Sequence, residues 1–416
     1  MIDFLEINNI DTEVVSRFLR YVQIDTTSDD KGVPNPTTSN QWDFANLLKT
    51  ELTELGLANV EVDEYCYVYA TLPASPKVKT EPISFLAHLD TSPAVSGKNV
   101  TPLLRKSYQG EDLAYPHNDD LLLKPSDCPQ LLDYIGDHII TSSGDTLLGA
   151  DDKAGIAEIM TALEILQKHP EISHPELRIC FTPDEEVGAG TAHIDRKRLG
   201  KIAYTIDGGE IGELEDECFD AHSIKIDIKG RNVHPGNAKN VMINACKIAS
   251  EFVSLIPSKE SPEMTEGREG FYHVRHIQGN ESHATIEIIL RDFDKEINLR
   301  RIEVIETISE LLKMNYSGVE INVSTSNTYL NMKTILDQYP EVIQKAERVL
   351  LDLGINPIRN PIRGGTDGAK LCYLGIPTPN IFTGGFLYHS LREWIPVSSM
   401  VSVVKVIIAL ANNWSK

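Results

Sequence analysis

The stretch SFLAHLDTSP, residues 84 to 93, ends an apolar run with a histidine and an aspartate. Residues 84 to 87 have the composition of a buried β-strand, and the TSP at 91 to 93 predicts that the strand stops there. Successive side chains of a strand point to opposite faces, so His88 and Asp90 share one face. In a metal site, His88 would bind the ion through one ring nitrogen while Asp90 accepts the other N–H. The alternative is a turn capped by Asp90, with His88 merely exposed.

Apolar runs of this kind alternate with helical patterns through the first two hundred residues. Strands are predicted over 83–88, 177–182 and 201–206. Helices are predicted over 13–21, 40–55 and 153–167. Such alternation favours an α/β fold in which helices flank a sheet. Parallel strands of an open α/β sheet place their ligand sites at the carboxyl ends.

A different pattern occupies residues 221 to 326. Its predicted strands and helices follow the order β-α-β-β-α-β, which is typical of a ferredoxin-like unit. The α/β pattern resumes afterwards with a predicted helix over 333–353. We therefore predict a discontinuous main domain, residues 1–218 and 327–416, interrupted by an inserted domain at 219–326.

Composition and charge restrict the class of protein. The 416 residues are too many for one ordinary core, and 41% hydrophobic with 24% charged residues is typical of a soluble globular chain. A net charge of −22 argues against nucleic acid as a partner. The N-terminus lacks a signal-peptide pattern, and the six cysteines form no CxxC pair. The apolar stretch at 400–414 contains Lys405 and is predicted to be a packed helix. We expect a cytoplasmic protein without a membrane partner.

Three further strand ends carry acids. In LLGADDKAG, residues 147 to 155, one aspartate is explained as a helix cap, but the second is not. In CFTPDEEVGAG, residues 180 to 190, three consecutive acids repel one another unless a cation or base intervenes, although a solvated turn is the usual explanation. Asp207 ends the third strand before a glycine pair, where a plain Asp-Gly turn is the alternative.

Two C-terminal stretches complete the set, IRGGTDGAKL at 362–371 and FTGGFLYHS at 382–390. His389 follows a glycine pair at another predicted strand end, although it would also be unremarkable as a surface histidine. The guanidinium of Arg363 is suited to bind a carboxylate with two hydrogen bonds. The usual motifs of rival enzyme classes, HExxH, GxxxxGK[ST] and GxSxG, are missing from the sequence.

Taken together, the candidate ligands are His88, Asp151, Glu186, Asp207 and His389. Two histidines with several carboxylates suit zinc or a similar divalent ion. A carboxylate shared between two ions would make this a two-metal hydrolytic site.

The chain resembles the M20 metallopeptidases, and within them the branch of tripeptide aminopeptidases. The matching stretches, which span residues 88 to 389, are HLDTSPAVSGKNV, LLGADDKAGIAEI, FTPDEEVG, YTIDGGEIGELE, VHPGNAKN and IRGGTDGAKL with GIPTPNIFTGG. The resemblance implies a mixed-sheet catalytic domain with helices on both faces. It also implies that the inserted domain serves as a lid and as a dimerisation domain.

The resemblance further implies two Zn²⁺ ions per subunit. His88 and Asp207 would bind one zinc ion, and Glu186 and His389 would bind the other. Asp151 would bridge both ions. The five ligands would thus come from separate parts of the chain.

The remaining roles that the resemblance implies belong to residues around the ions. Asp90 would orient the first histidine ligand, and Glu185 would be the general base. His234 would stabilise the oxyanion, often in the partner subunit's site, and Arg363 would bind the terminal carboxylate of the substrate. One departure is Ser390, where the family usually has glycine after the last histidine ligand.

The expected function is removal of the N-terminal residue from tripeptides. A homodimer is expected through the inserted domain, whose first strand, Ser223 to Lys229, is predicted to form a free edge. Another M20 activity, as a dipeptidase or an N-acyl amino acid deacylase, is a second interpretation. A catalytically inactive metal-binding scaffold is a third, disfavoured because Glu185 and every expected ligand are present.

Overall fold

The computed structural model describes residues 9–33 and 35–416. The chain divides into two compact units. The main unit comprises Met1–Asp216, Thr334–Asn360 and Thr366–Lys416, and the inserted unit comprises Glu217–Lys333 and Pro361–Gly365. The short segment 361–365 groups with the inserted unit, where Ile362 forms a β-bridge with Cys218. Lid and dimerisation functions of the inserted unit remain predictions.

The described residues form both α-helices and β-strands. The helices are α1 (Ile10–Tyr21), α2 (Asn40–Glu54), α3 (Ala150–Lys168), α4 (Ala245–Leu255), α5 (Lys295–Asn315), α6 (Lys333–Leu336), α7 (Pro340–Asp352), α8 (Asp367–Tyr373) and α9 (Val397–Trp414). The strands are β1 (Ala58–Val62), β2 (Val68–Leu72), β3 (Ile83–His88), β4 (Leu103–Arg105), β5 (Leu113–Tyr115), β6 (Asn118–Leu123), β7 (Ile139–Thr141), β8 (Leu177–Thr182), β9 (Ile202–Ile206), β10 (Leu214–Glu215), β11 (Asp220–Lys229), β12 (Phe271–Gly279), β13 (His283–Asp292), β14 (Glu320–Tyr329), β15 (Asn380–Ile381) and β16 (Trp394–Pro396).

The main unit is built on a seven-stranded sheet with the order β1-β2-β8-β3-β9-β15-β10. Its central strands β8, β3, β9 and β15 are mutually parallel, and the outer pairs are antiparallel, so the sheet is mixed. Every residue of β3 and β9 is buried, as expected for strands covered on both faces. The predicted mixed α/β class is therefore confirmed.

This sheet places the candidate ligands near one another. Because β3, β8, β9 and β15 run in the same direction, their carboxyl ends lie at one edge of the sheet. The strands predicted over 83–88 and 177–182 are found with those bounds, and the third begins at Ile202. His88 is the last residue of β3, and the segments that follow β8 and β9 carry Glu186 and Asp207.

The inserted unit has the predicted β-α-β-β-α-β order, from β11 to β14. Its four antiparallel strands are arranged β12-β13-β11-β14, and α4 and α5 pack on the sheet around a core that includes Ile226 and Phe252. The prediction that Ser223 to Lys229 forms a free edge is wrong. This strand, β11, pairs along its length with both β13 and β14, so its backbone donors and acceptors are used on both sides.

Helix α9 is, among the described residues, the one helix whose length and composition would allow it to cross a membrane. Within the protein, 56% of it is buried. It contacts α1, α3 and α7, and its apolar face includes Val403, Ile407 and Leu410. This burial agrees with the predicted packed helix.

Candidate metal centre

The predicted ligands converge at the carboxyl edge of the main sheet. His88 is the last residue of β3, Asp207 follows β9 directly, and Glu186 lies shortly after β8. Asp151 is the second residue of α3, and His389 lies in the loop between β15 and β16. All five belong to the main unit, and all but His389, whose side chain is 43% exposed, are largely buried.

Asp151 occupies the centre of this group. Its Oδ1 lies 2.8 Å from Nε2 of His88, and its Oδ2 lies 3.0 Å from Nε2 of His389. The backbone at Asp151 and Asp152 is not helical, so the regular part of α3 begins at Lys153, as the sequence predicts. Each oxygen of one carboxylate therefore faces a different histidine, which is the arrangement required of a bridging ligand.

Two overlapping groups of ligand atoms surround the Asp151 carboxylate. In the first, Nε2 of His88 also lies 3.8 Å from Oδ1 of Asp207. In the second, Nε2 of His389 also lies 2.8 Å from Oε1 of Glu186. These are the two ligand sets implied by the family resemblance. Their roles as ligands remain predictions.

The hydrogen-bond chemistry of both groups leaves room for cations. Nδ1 of His88 lies 2.9 Å from the carbonyl oxygen of Asp90, so in a neutral imidazole the single N–H points there. Nε2 then faces the Asp151 carboxylate with a lone pair. At the second group, one N–H of His389 cannot satisfy both Asp151 and Glu186. A divalent cation in each group would resolve both conflicts, so these residues fit a two-metal centre.

Asp152 belongs to this site, although we did not predict it there. It is fully buried, and its Oδ2 accepts the backbone N–H of His88 at 2.9 Å. One carboxylate oxygen of Asp152, one of Asp207 and a ring nitrogen of His88 lie within 4.8 Å of one another, close enough to hold a metal ion. The sequence did not reveal it, because one aspartate of the pair before a helix is already explained as a cap.

Asp90 contacts both histidine and acid ligands. Its carbonyl oxygen is nearer to Nδ1 of His88 than its carboxylate is, at 2.9 Å against 3.4 Å. The fully buried carboxylate instead accepts the backbone N–H of Glu185 at 2.9 Å and of Glu186 at 3.2 Å. Asp90 thus contacts His88 mainly through its carbonyl oxygen, and its carboxylate holds the segment that follows β8. Its role in orienting His88 stays a prediction.

The three consecutive acids at 184 to 186 have separate surroundings. The carboxylate of Asp184 is buried and accepts hydrogen bonds from Thr37 and from the side chain of Gln41. Glu185 and Glu186 are held through their backbone by Asp90. Because the Asp184 carboxylate is hydrogen-bonded to Thr37 and Gln41, its electrostatic repulsion with Glu185 and Glu186 is reduced.

Burial and crowding perturb the acids of this cluster. Burial, with the nearby Asp367 and Asp207 carboxylates, raises the pKa of Glu185 well above its usual range. Burial and the Asp151 charge raise the pKa of Glu186 to about 7 and that of Asp207 to about 8. The hydrogen bonds to Asp151 and Glu186 raise the pKa of the His389 imidazole to about 11. Such a surplus of acids favours bound cations.

His234 belongs to the inserted unit. It lies in an exposed turn after β11, where its Nδ1 accepts the backbone N–H of Gly236 at 3.1 Å. Its Nε2 edge makes no hydrogen bond among the described residues. The predicted contact of His234 with a substrate oxyanion stays a prediction.

Arg363 also belongs to the inserted unit. Its guanidinium donates to the carbonyl oxygens of Gly267 and Glu269 at 2.7 and 3.0 Å, and to the hydroxyl of Thr265 at 3.2 Å. It lies over the rings of Phe219 and Phe271. Arg363 therefore has partners within its own unit, and its binding of a substrate carboxylate remains a prediction.

Ser390, the departure from the family pattern, stabilises the loop around His389. Its hydroxyl donates to the carbonyl oxygen of Leu387 at 2.6 Å and accepts the backbone N–H of Arg392 at 3.1 Å. Leu387 and His389 both have positive φ. The serine side chain thus bonds within its own loop.

A mixed sheet whose carboxyl edge brings together two histidines and one carboxylate that contacts both defines a candidate metal-dependent hydrolase. Residues 147–413 match the profile of Peptidase family M20/M25/M40, and the chain belongs to this family. It is therefore a peptidase, as predicted. A protein named Peptidase T from Geobacillus thermodenitrificans (strain NG80-2) is 46% identical over 399 residues, which cover 96% of this chain and 97% of that protein.

Solved structures share the fold. A tripeptidase from Staphylococcus aureus has a TM-score of 0.77 and 21% identity, with 97% of this chain and 98% of that chain covered. A Bacillus subtilis protein described as a dinuclear metal-binding peptidase of family M20 has a TM-score of 0.65 and 14% identity, with 97% and 98% covered. At these identities the similarity concerns the fold.

Proposed function

We propose that this chain is a dizinc aminopeptidase that releases the N-terminal residue from tripeptides. The observation that carries the proposal is the Asp151 carboxylate, whose two oxygens face His88 at 2.8 Å and His389 at 3.0 Å. The similarity to a protein named Peptidase T and to the fold of a tripeptidase supports the substrate class.

Five side chains would hold the ions. His88 and Asp207 would bind one and Glu186 and His389 the other, with Asp151 shared. Imidazole and carboxylate ligands are those that zinc prefers, although related divalent ions accept them as well. When bound, such a pair supplies a nucleophilic water at neutral pH and polarises the scissile carbonyl.

Glu185 is the proposed general base. Its backbone is held by Asp90 beside the ligand Glu186, and burial with the neighbouring Asp367 and Asp207 carboxylates raises its pKa. A carboxylate with a raised pKa accepts a proton at neutral pH more readily than an ordinary glutamate. Glu185 would take a proton from the attacking water and pass it to the leaving amine.

The inserted unit would contribute to substrate binding and to assembly. We propose that His234 donates a hydrogen bond to the developing oxyanion, a contact worth about 3 kcal/mol in comparable enzymes. Arg363 would bind the terminal carboxylate, as the family resemblance implies. We also propose a cytoplasmic homodimer that assembles through this unit.

Assays on a panel of di-, tri- and N-acylated peptides test the proposal. Release of the N-terminal residue from tripeptides, abolished by a chelator and restored by Zn²⁺, is expected. Faster cleavage of dipeptides or N-acyl amino acids would instead favour another M20 activity on the same site. Unchanged hydrolysis after complete metal removal would refute the metal mechanism, and bound metal without turnover on any substrate would indicate a scaffold.

A further inference from the structure

Glu393 has a set of contacts that neither the sequence nor the proposed mechanism explains. Its side chain is almost completely buried, at 1% exposure. Oε2 accepts the backbone N–H of Leu148 at 2.8 Å and of Gly149 at 2.9 Å. Oε1 accepts the N–H of Ala150 at 2.7 Å and of Asp151 at 3.2 Å. A single carboxylate thus binds four consecutive amides that end at the bridging aspartate.

Glu393 also belongs to the loop that carries His389. Phe386 and Trp394 close this loop with reciprocal backbone hydrogen bonds of 2.9 and 3.1 Å, and their rings stack with centroids 4.3 Å apart. Trp394 is fully buried, so the base of the loop is fixed in the core. The neighbouring Glu393 therefore projects from a rigid base, and His389 lies within the same loop.

Four hydrogen bonds to one buried carboxylate indicate a specific structural role for Glu393. Hydrogen bonds from backbone N–H groups to an ionised carboxylate are about twice as strong as those between neutral groups. Successive amides that point to one place form an anion-binding concavity. Burying a carboxylate is costly unless such partners compensate for the lost hydration. The structure satisfies this carboxylate fully, at the place where two ligand-bearing loops meet.

We propose that Glu393 is a positioning residue that fixes the loop of Asp151 against the loop of His389. This inference rests on the proposed two-metal function. The ligands His88 and Asp207 stand at the ends of paired strands, and the ladder of the sheet holds them. By contrast, Asp151 and His389 lie outside the sheet, and the Glu393 carboxylate connects their two segments through the backbone, beside the contact that Asp151 makes with His389.

Partners outside the ligand set commonly change metal affinity by about 10- to 100-fold. Without the carboxylate, residues 148–151 lose their backbone hydrogen bonds to the loop of His389, so the distance between Asp151 and His389 is held less tightly. The ion that depends on His389 and Glu186 should therefore bind more weakly, and the ion that depends on His88 and Asp207 should be affected less.

A calorimetric titration of the chelator-treated full chain with Zn²⁺ tests this inference. Glu393→Gln retains the volume but presents amide hydrogens to two of the four N–H groups. Glu393→Asp retains the charge but cannot span all four, and it serves if the glutamine variant does not fold. The matched control is Asp63→Asn. Asp63 is a carboxylate of the β1–β2 turn whose Oδ1 accepts the N–H of Tyr65 and of Tyr67 at 2.9 Å.

We expect two zinc equivalents for the wild type and for Asp63→Asn. In the Glu393 variants the second equivalent should bind about 10- to 100-fold more weakly. In the metal-free proteins, the backbone amides of residues 148–151 should exchange hydrogen faster in the Glu393 variants than in the wild type. This measurement reports the loss of the Glu393 hydrogen bonds without any metal. Folded Glu393 variants that bind both equivalents like the wild type would overturn the inference. A wild type that takes up no zinc would overturn the proposed function, and this inference with it.

Discussion

The carboxylate of Asp90 accepts the backbone N–H of Glu185 over 2.9 Å. Asp90 also lies against the ring of His88, through its carbonyl oxygen at 2.9 Å. One buried residue therefore connects a predicted ligand on β3 with the predicted base after β8. Because Asp90 contacts both His88 and the segment after β8, a change at Asp90 should disturb the position of Glu185 as well as that of His88.

We expect Asp90→Asn to reduce kcat by about 10- to 100-fold while the protein stays folded. The asparagine keeps one oxygen, but its NH₂ group faces one of the N–H donors of Glu185 and Glu186. Steady-state kinetics with a tripeptide measure the effect. Asp63→Asn, which changes an amide-binding carboxylate in another turn, provides the comparison. Equal kcat in the two variants would show that Asp90 has no role at the site.

Glu185→Gln should retain metal but lose turnover. The amide cannot accept a proton from water, and general-base catalysis contributes about 100- to 10,000-fold to such reactions. Turnover should be compared with metal content in the same purified samples. Glu64→Gln, at an exposed position, should behave like the wild type. Full activity of Glu185→Gln would remove Glu185 from the mechanism.

His234→Ala should lower kcat by about 100-fold or more without changing metal content. The side chain is exposed and bonds only to the backbone of Gly236 among the described residues, so its removal should leave the melting temperature unchanged. His276→Ala, an exposed histidine on β12 of the same unit, is the matched control. The prediction fails if both variants keep wild-type kcat.

Glu158 should make stability depend on pH. It is fully buried in α3, neither oxygen has a partner among the described residues, and burial raises its pKa well above the usual range. A pKa raised in the folded state means that stability present below the unfolded pKa of about 4.3 is lost as pH rises towards the folded pKa. Glu158→Gln removes this titration.

Relative to the wild type, Glu158→Gln should gain stability as the pH rises from 4.5 to 8. We expect the difference to grow by about 1.4 kcal/mol for each pH unit between the unfolded and the folded pKa of Glu158, because the glutamine has no proton to lose. Thermal unfolding across this pH range measures the difference. Glu54→Gln, an exposed helix carboxylate, should show no such trend. A constant difference between Glu158→Gln and the wild type at all pH values would contradict the prediction.

The oligomeric state can be measured independently of activity. We expect a dimer in sedimentation experiments at micromolar concentration. The contact cannot form by strand pairing along β11, whose two edges are already paired, and the outer strands of the inserted unit's sheet are β12 and β14. Sedimentation as a monomer would refute the predicted homodimer.

Much of this site was accessible from local sequence. Buried parallel strands read as continuous apolar runs, so β3 and β8 were predicted with their observed bounds. Each run stops where a polar side chain begins, and parallel strands bring those ends to one edge. His88, Glu186 and Asp207 were therefore predictable as neighbours before any contact between them was known.

The pairing of strands depends on partners distant in the chain. The apolar alternation in β11 predicted a strand correctly, but it could not reveal that β13 and β14 both pair with it. Alternation reports which face of a strand is buried, whereas edge or central position depends on backbone hydrogen bonds made elsewhere. Only the folded sheet shows that both sides of β11 are occupied.

The sequence by itself determined the strand ends, the order of elements in the inserted unit and the identity of the candidate ligands, because periodicity and residue chemistry are local. Tertiary structure alone decided that Asp152 supports His88 and that Glu393 holds the amides of residues 148–151. These contacts join residues that are 64 and more than 240 positions apart. No local pattern encodes such a distance, because it is set by the packing of the sheet, α3 and the loop of His389 together.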